Sequence, residues 1–289
     1  MFKQLTHLQQ RIISGTIGSL IVFLAIFLAP FPAFKPIFTL AIAGVIGVAM
    51  WELFHIAQEI GIEPAVKLGI SLGAIYAFAV SLSTQYSFAH LFPDCVLLAA
   101  LLVCFLYYFV KGNSPFINLS TTLFGIGYLA VPLSCLISIV YFFPSESDFG
   151  GRWWLLYVFL VTKITDMGAF FVGKAFGKQK LAPYISPKKT WEGAIGGLFC
   201  AIATSVAINL LSSFDGNYAL DIWQTIWLGA IIGVFAQCGD LAESLLKRDC
   251  GVKDSNSLPG LGGMLDIVDS LVFTAPLVYI WLKIQFPLG

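Results

Sequence analysis

The sequence predicts an all-α, polytopic integral membrane protein. Three observations predict it. The 289-residue chain is 58% hydrophobic and only 11% charged, a combination rare in a water-soluble domain of this size. Its apolar residues gather in runs of about 18 or more, the length a helix needs to cross a bilayer. Its lysines and arginines fall mostly on one side of the topology those runs define.

Nine spans are expected, at 12–30, 37–57, 68–83, 95–110, 120–142, 153–172, 193–212, 222–240 and 268–285. The first has the outline of a signal peptide, but its apolar core is too long and no small-x-small cleavage site follows, so it reads as a retained span. Breaks such as Pro30-Phe31-Pro32, Lys111-Gly112-Asn113-Ser114-Pro115 and Asp215-Gly216-Asn217 carry turn-forming residues. With the N-terminus in the cytoplasm, twelve Lys and Arg residues lie on the cytoplasmic side and three on the other. Lys163 lies inside a span. That asymmetry obeys the positive-inside rule and predicts an odd number of spans. Residues 1–150 then form an N-terminal membrane region with five spans. Residues 151–289 form a C-terminal membrane region with four spans and two cytoplasmic loops, 173–192 and 241–267. Both loops are rich in polar residues and face the same side, so they can build one site.

A net charge of zero argues against a nucleic-acid partner. The six cysteines form no CxxC pair and four lie in apolar runs, which reads as small buried hydrophobes.

An ionisable side chain inside a span costs about 2.5–3.5 kcal/mol on insertion scales and so calls for a reason. Lys163 and Asp166 are three residues apart on one helical face. They are either a packing ion pair or the sign of a functional Asp166. Glu52 and His55 share that spacing near the cytoplasmic end of the second span and read as structural. The 173–192 segment holds five lysines and no acid before Glu192. Such lysines attract anionic lipid at about 1 kcal/mol each, or they bind the phosphates of a ligand. Ser186-Pro187 resembles an N-cap and first helical residue. Lys188 and Lys189 would then flank free N–H groups at a helix start, an anion site, with Thr190 closing the motif.

The eighth span runs into a stripe of Gln237, Asp240, Ser244 and Lys247 at spacings of three and four, with Glu243 beside it. Asp266 and Asp269 open the ninth span on one face. Two like charges there need an offset: a divalent cation, a lysine partner or a proton on one of the carboxyls. Mg²⁺ suits carboxylate oxygens together with substrate phosphates. The glycines just upstream allow close backbone approach. Carboxylates for metal, basic groups for phosphates and flexible glycines together fit phosphoryl or nucleotidyl transfer. No P-loop pattern is present.

These residues resemble the phosphatidate cytidylyltransferase, or CDP-diacylglycerol synthase, family. Its S-x-x-K-R-x4-K-D signature corresponds to Ser244, Lys247, Arg248, Lys253 and Asp254. The Pro-Gly and Gly-Gly segment ending in D-x-x-D corresponds to Pro259-Gly260-Leu261-Gly262-Gly263 through Asp266 and Asp269. Asp166, with Ala169 and Phe170, matches D-x-x-A-[YF]; Ser186 to Gly193 matches S-P-K-K-T-x-E-G; Gly239 to Ser244 matches G-D-L-x-E-S. The match covers about residues 162–270. Leu261 and Ile267 stand where the family often has His and Arg, and the stretch from Asp254 to Pro259 is one residue shorter than the commonest form.

The resemblance implies transfer of CMP from CTP to phosphatidate, giving CDP-diacylglycerol and pyrophosphate in phospholipid biosynthesis. It implies Mg²⁺, or another divalent cation, held by Asp240, Asp254, Asp266 and Asp269. Lys247, Arg248 and Lys253 join these as catalytic residues, and Ser186, Lys188, Lys189 and Thr190 bind substrate phosphate. Asp166, Glu192, Glu243 and Ser244 are further candidates. The expected setting is the cell's inner membrane, with the site at the cytoplasmic face; a homodimer is left open. Two alternatives stand. One is a membrane nucleotidyl- or phosphotransferase acting on another lipid. The other is a transporter, which would need polar groups reaching both faces, whereas the charges here gather at one.

Overall fold

The structure is a computed structural model, and it describes residues 20–143, 149–212, 220–252 and 263–286. Helix α1 is described over residues 20–28. Then come α2 (Lys35–Glu59), α3 (Val66–Gln85), α4 (Phe92–Lys111), α5 (Pro115–Gly125), a π turn (Ile126–Ala130) and α6 (Val131–Val140). Helix α7 (Phe149–Phe176) leads into a hairpin of β1 (Lys180–Ala182) and β2 (Ser186–Thr190), followed by α8 (Trp191–Ser212), α9 (Ile222–Asp249) and α10 (Met264–Gln285). The protein is an all-α, polytopic membrane protein.

Eight helical segments among the described residues are long and apolar enough to span, with α5, the π turn and α6 acting as one crossing, Pro115–Val140. Residues 12–19 of the expected span at 12–30 lie outside the described residues, and α1 covers most of the remainder. The surface agrees with a lipid setting: Val110 and Phe116 are 89% and 84% exposed, among many large apolar side chains that water would not tolerate together. Inside, side chains such as Phe54, Ile137, Val158 and Leu271 from α2, α6, α7 and α10 join one apolar cluster. Cys104 is buried as expected for a small hydrophobe, whereas Cys95 and Cys238 are exposed.

Three local departures from the sequence reading have physical causes. Helix α9 continues to Asp249, so the expected loop from 241 begins instead as a helix. Leucines, alanine and Glu-to-Lys spacing in this stretch favour helix as strongly as the span before it. Secondly, the expected helix start at Ser186-Pro187 is a strand. Ser186 pairs with Ala182 and Thr190 with Lys180, antiparallel and with an irregular register between. A two-stranded sheet leaves each strand one open side, where proline's missing N–H is tolerated. The helix starts at Trp191, and the Thr190 hydroxyl accepts the Gly193 N–H at 3.2 Å, which makes Thr190 the cap. Thirdly, the π turn precedes Pro132, whose ring clashes with the carbonyl four residues back and whose nitrogen donates nothing; a locally widened helix relieves both.

Candidate active site

The ends of α7, α9 and α10 and the β hairpin bring their ionisable side chains together at one end of the bundle. Close helix approach makes this possible. A Cβ added at Gly239 would lie 2.5 Å from the Asp269 carbonyl oxygen, so α9 meets α10 where Asp240 and Asp269 emerge. Their carboxylates and that of Glu243 place one oxygen each within 4.8 Å of one another. Asp269 and Glu243 are buried, at 6% and 1% exposure, and Asp240 is half-buried.

Each acid has neighbours that offset part of its charge. Lys189 of β2 lies 2.8 Å from Asp240. Lys247 sits 2.8 Å from Glu243 and also pairs with Asp266. The second Glu243 oxygen, Oε1, is buried and has no hydrogen-bond partner among the described residues. Ser270 joins Asp269 to α7: its hydroxyl bonds Asp269 Oδ1 at 3.1 Å and the Asp166 carboxylate at 3.1 and 3.2 Å. Lys163 lies 3.6 Å from Asp166 and donates to the Ile267 carbonyl at 2.7 Å. Asp166, Asp240, Glu243, Asp266 and Asp269 thus share one cluster with Lys163, Lys189 and Lys247.

A cavity of about 460 Å³ opens beside Asp240, and Asp166, Lys174, Lys188, Lys189 and Thr190 help to line it. Lys188 and Lys189 reach it from a strand rather than from a helix start, and Lys174 from the last turn of α7. The hairpin is tied down at both ends. Glu192 accepts the backbone N–H groups of Lys178 and Gln179 at 3.0 and 3.2 Å, and Arg248 Nε donates to the Ile185 carbonyl at 3.1 Å.

The sequence-predicted residues thus divide by place. Asp166, Lys188, Lys189, Thr190, Asp240, Glu243 and Asp269 lie in or around the cavity and cluster. Asp266 turns to Lys247 and to the Gly263 N–H, which it accepts at 3.1 Å; this is the lysine offset that the sequence left open. Arg248 and Glu192 hold the hairpin, Ser186 lies on β2 and Ser244 is half-buried on α9. Lys253 and Asp254 lie outside the described residues, as do Pro259 to Gly262. Sequence reasoning missed Ser270 and the reach of Glu52 to α10. A serine beside an aspartate carries no signal of its own, and Glu52 is more than two hundred residues away.

Carboxylate oxygens in such a group are the donor type that a hard divalent cation takes. The buried Glu243 oxygen that has no hydrogen-bond partner among the described residues fits one. Fold and site together define a polytopic α-helical membrane protein whose ionisable groups are concentrated in one acid–lysine site.

Comparison with known proteins narrows that class. The model of the cytidylyltransferase family matches residues 9–285, and the chain belongs to that family. It is similar to the phosphatidate cytidylyltransferase of Staphylococcus haemolyticus, 41% identical over 173 residues, which is 60% of this chain and 62% of that protein. That of Chlamydia muridarum is 38% identical over 168 residues, 57% of this chain and 55% of the relative. That of Staphylococcus aureus strain COL is 40% identical over 173 residues, again 60% and 62%. The chain thus spans between about half and two thirds of the length of the curated relatives it matches.

Proposed function

We propose that this protein transfers CMP from CTP to phosphatidate, forming CDP-diacylglycerol and pyrophosphate, at the cytoplasmic face of the cell's inner membrane. The observation that carries the reading is the convergence of Asp240, Glu243 and Asp269 within 4.8 Å next to a lysine-lined cavity. Family membership and the names of the relatives supply the two substrates.

The reaction joins two anions. An oxygen of the phosphatidate phosphate attacks the α-phosphorus of CTP; a new P–O bond forms, and the bond to the β-phosphate oxygen breaks to release pyrophosphate. The nucleophile is already ionised, so no strong general base is needed. The obstacle is charge repulsion, which positioned cations and hydrogen-bond donors offset most effectively in a water-poor site. Lys188 and Lys189 line the cavity and can neutralise phosphate oxygens there. Asp240, Glu243 and Asp269 would hold Mg²⁺ or another divalent cation, with Asp166 held close through Ser270. When bound, such an ion supplies charge neutralisation and alignment of the attacking and departing oxygens. Lys247 balances Glu243 and Asp266 and keeps both carboxylates in fixed places.

The test uses purified protein in detergent with labelled CTP, phosphatidate and Mg²⁺. A lipid-soluble cytidine product, formed in equal amount with pyrophosphate and lost on EDTA treatment, is expected. Full turnover after exhaustive chelation would remove the metal from the reading. No product from phosphatidate, with product from another lipid phosphate, would reassign the acceptor.

A further inference from the structure

Glu52 belongs to α2, far in sequence from the cluster, and is 1% exposed. A carboxylate buried within a span is costly unless strongly hydrogen-bonded. Its two oxygens are engaged. Oε1 accepts the Met264 N–H at 2.9 Å and Oε2 accepts the Leu265 N–H at 2.7 Å. Met264 and Leu265 are the first two residues of α10. The first N–H groups of any helix have no partner inside it, and an anion there also meets the positive end of the helix dipole. Glu52 is therefore a cap delivered from another span, 212 residues away from Met264. The Gly263 N–H, just before, goes to Asp266.

What this cap holds is the helix that carries Asp269. Asp269 stands five residues after Met264, less than two turns along α10. A slip of one residue would turn its side chain by about 100° and move it about 1.5 Å along the axis. We propose that Glu52 is a positioning residue for the reaction: by gripping the first turn of α10 it fixes that helix's height and rotation, and so keeps Asp269 in register with Asp240 and Glu243. It acts through α10, and it is absent from the lining of the lysine-rich cavity. This inference rests on the reading of that cluster as the active site.

The test compares full-length wild type, Glu52→Gln and Glu52→Asp in detergent. Glutamine keeps one acceptor but turns a donor toward the second N–H and removes the charge. Aspartate keeps the charge on a shorter stem. Glu52→Gln is expected to lose about tenfold to a hundredfold in kcat, the scale of an ångström-sized misplacement, with KM for CTP within about twofold. Glu52→Asp should fall between it and wild type. Two readouts stand apart from turnover. Hydrogen–deuterium exchange should rise in the peptide covering 264–270 and nowhere else, and Mn²⁺ binding followed by electron paramagnetic resonance should weaken. Wild-type kcat with unchanged exchange over 264–270 in Glu52→Gln would overturn the proposal. So would a uniform rise in exchange across the bundle, which would make Glu52 a stability residue only. If Glu52→Gln is not recovered folded, Glu52→Asp decides by the same exchange comparison. Wild-type protein inactive toward CTP would overturn the functional reading, and exchange and Mn²⁺ binding would still decide whether Glu52 positions α10.

Discussion

Asp269 and Asp249 share one chemistry and occupy opposite settings. Asp269 is 6% exposed and sits with Asp240 and Glu243; Asp249 is exposed at the last residue of α9. On the proposed reading Asp269 helps to hold a cation, and its loss removes charge stabilisation from the transition state. Asp269→Asn should therefore cost on the order of a hundredfold or more in rate. Losing a solvated carboxylate removes at most about 0–1 kcal/mol of interaction, so Asp249→Asn should change the rate by a few-fold at most. Initial rates of CDP-diacylglycerol formation at saturating CTP, normalised to folded protein, check this. Equal losses would move the chemistry away from the head of α10. Asp266 makes the complementary point. It shares a helix face with Asp269 by spacing, yet its carboxylate goes to Lys247, because a lysine on α9 stands within reach.

At the level of elements, the site depends on how closely α9 and α10 approach. A side chain at Gly239 would place its Cβ 2.5 Å from the Asp269 carbonyl, and backbone cannot yield as a flexible side chain can. Gly239→Ala should force the helices apart and cost about 1–3 kcal/mol as an overpacked contact, with activity falling further than stability because Asp240 and Asp269 separate. Gly44 of α2 is the control: a Cβ there meets nothing within 4 Å among the described residues. Gly44→Ala should be neutral or stabilise by roughly 0.5–1 kcal/mol, alanine being the better helix former. Thermal unfolding in detergent alongside the CTP assay separates the two. Identical behaviour of both variants would show that the α9–α10 approach has slack. The hairpin is the other element that matters, since Lys188 and Lys189 reach the cavity from its second strand while Glu192 and Arg248 tie it down.

Across the whole molecule, the hairpin and the 3₁₀ turn Ser87–Ala89 are separated by an odd number of crossings. They therefore face opposite sides of the bilayer. Tyr184, in the hairpin turn, is 96% exposed and Phe88 is 73% exposed, so both positions are open to reagents. In a cysteine-free background, Tyr184→Cys should react with an impermeant maleimide only from the cytoplasmic side, and Phe88→Cys only from the other. The twelve-to-three division of basic residues motivates the direction,. Labelling of Tyr184→Cys from outside would invert the topology and cut the cavity off from cytoplasmic CTP.

By itself the sequence determined the membrane setting, the eight crossings found among the described residues and the end of the bundle where charge collects. These follow from composition, run length and the cost of burying ions, which act on each segment separately. It also singled out Asp240, Asp269, Lys188 and Lys189, since isolated polar residues at the mouths of apolar runs stand out in one dimension. Tertiary structure alone decided who pairs with whom. Glu243 rather than Asp266 joins Asp240 and Asp269, because helix rotation and the Gly239 contact set which carboxylates face each other. The strand over Ser186–Thr190 depends on pairing with Lys180–Ala182, a non-helical choice that the Ser-Pro pattern does not encode. Glu52 carries no local sign that it caps α10, because its partners are backbone N–H groups, which every sequence has and only packing brings within reach.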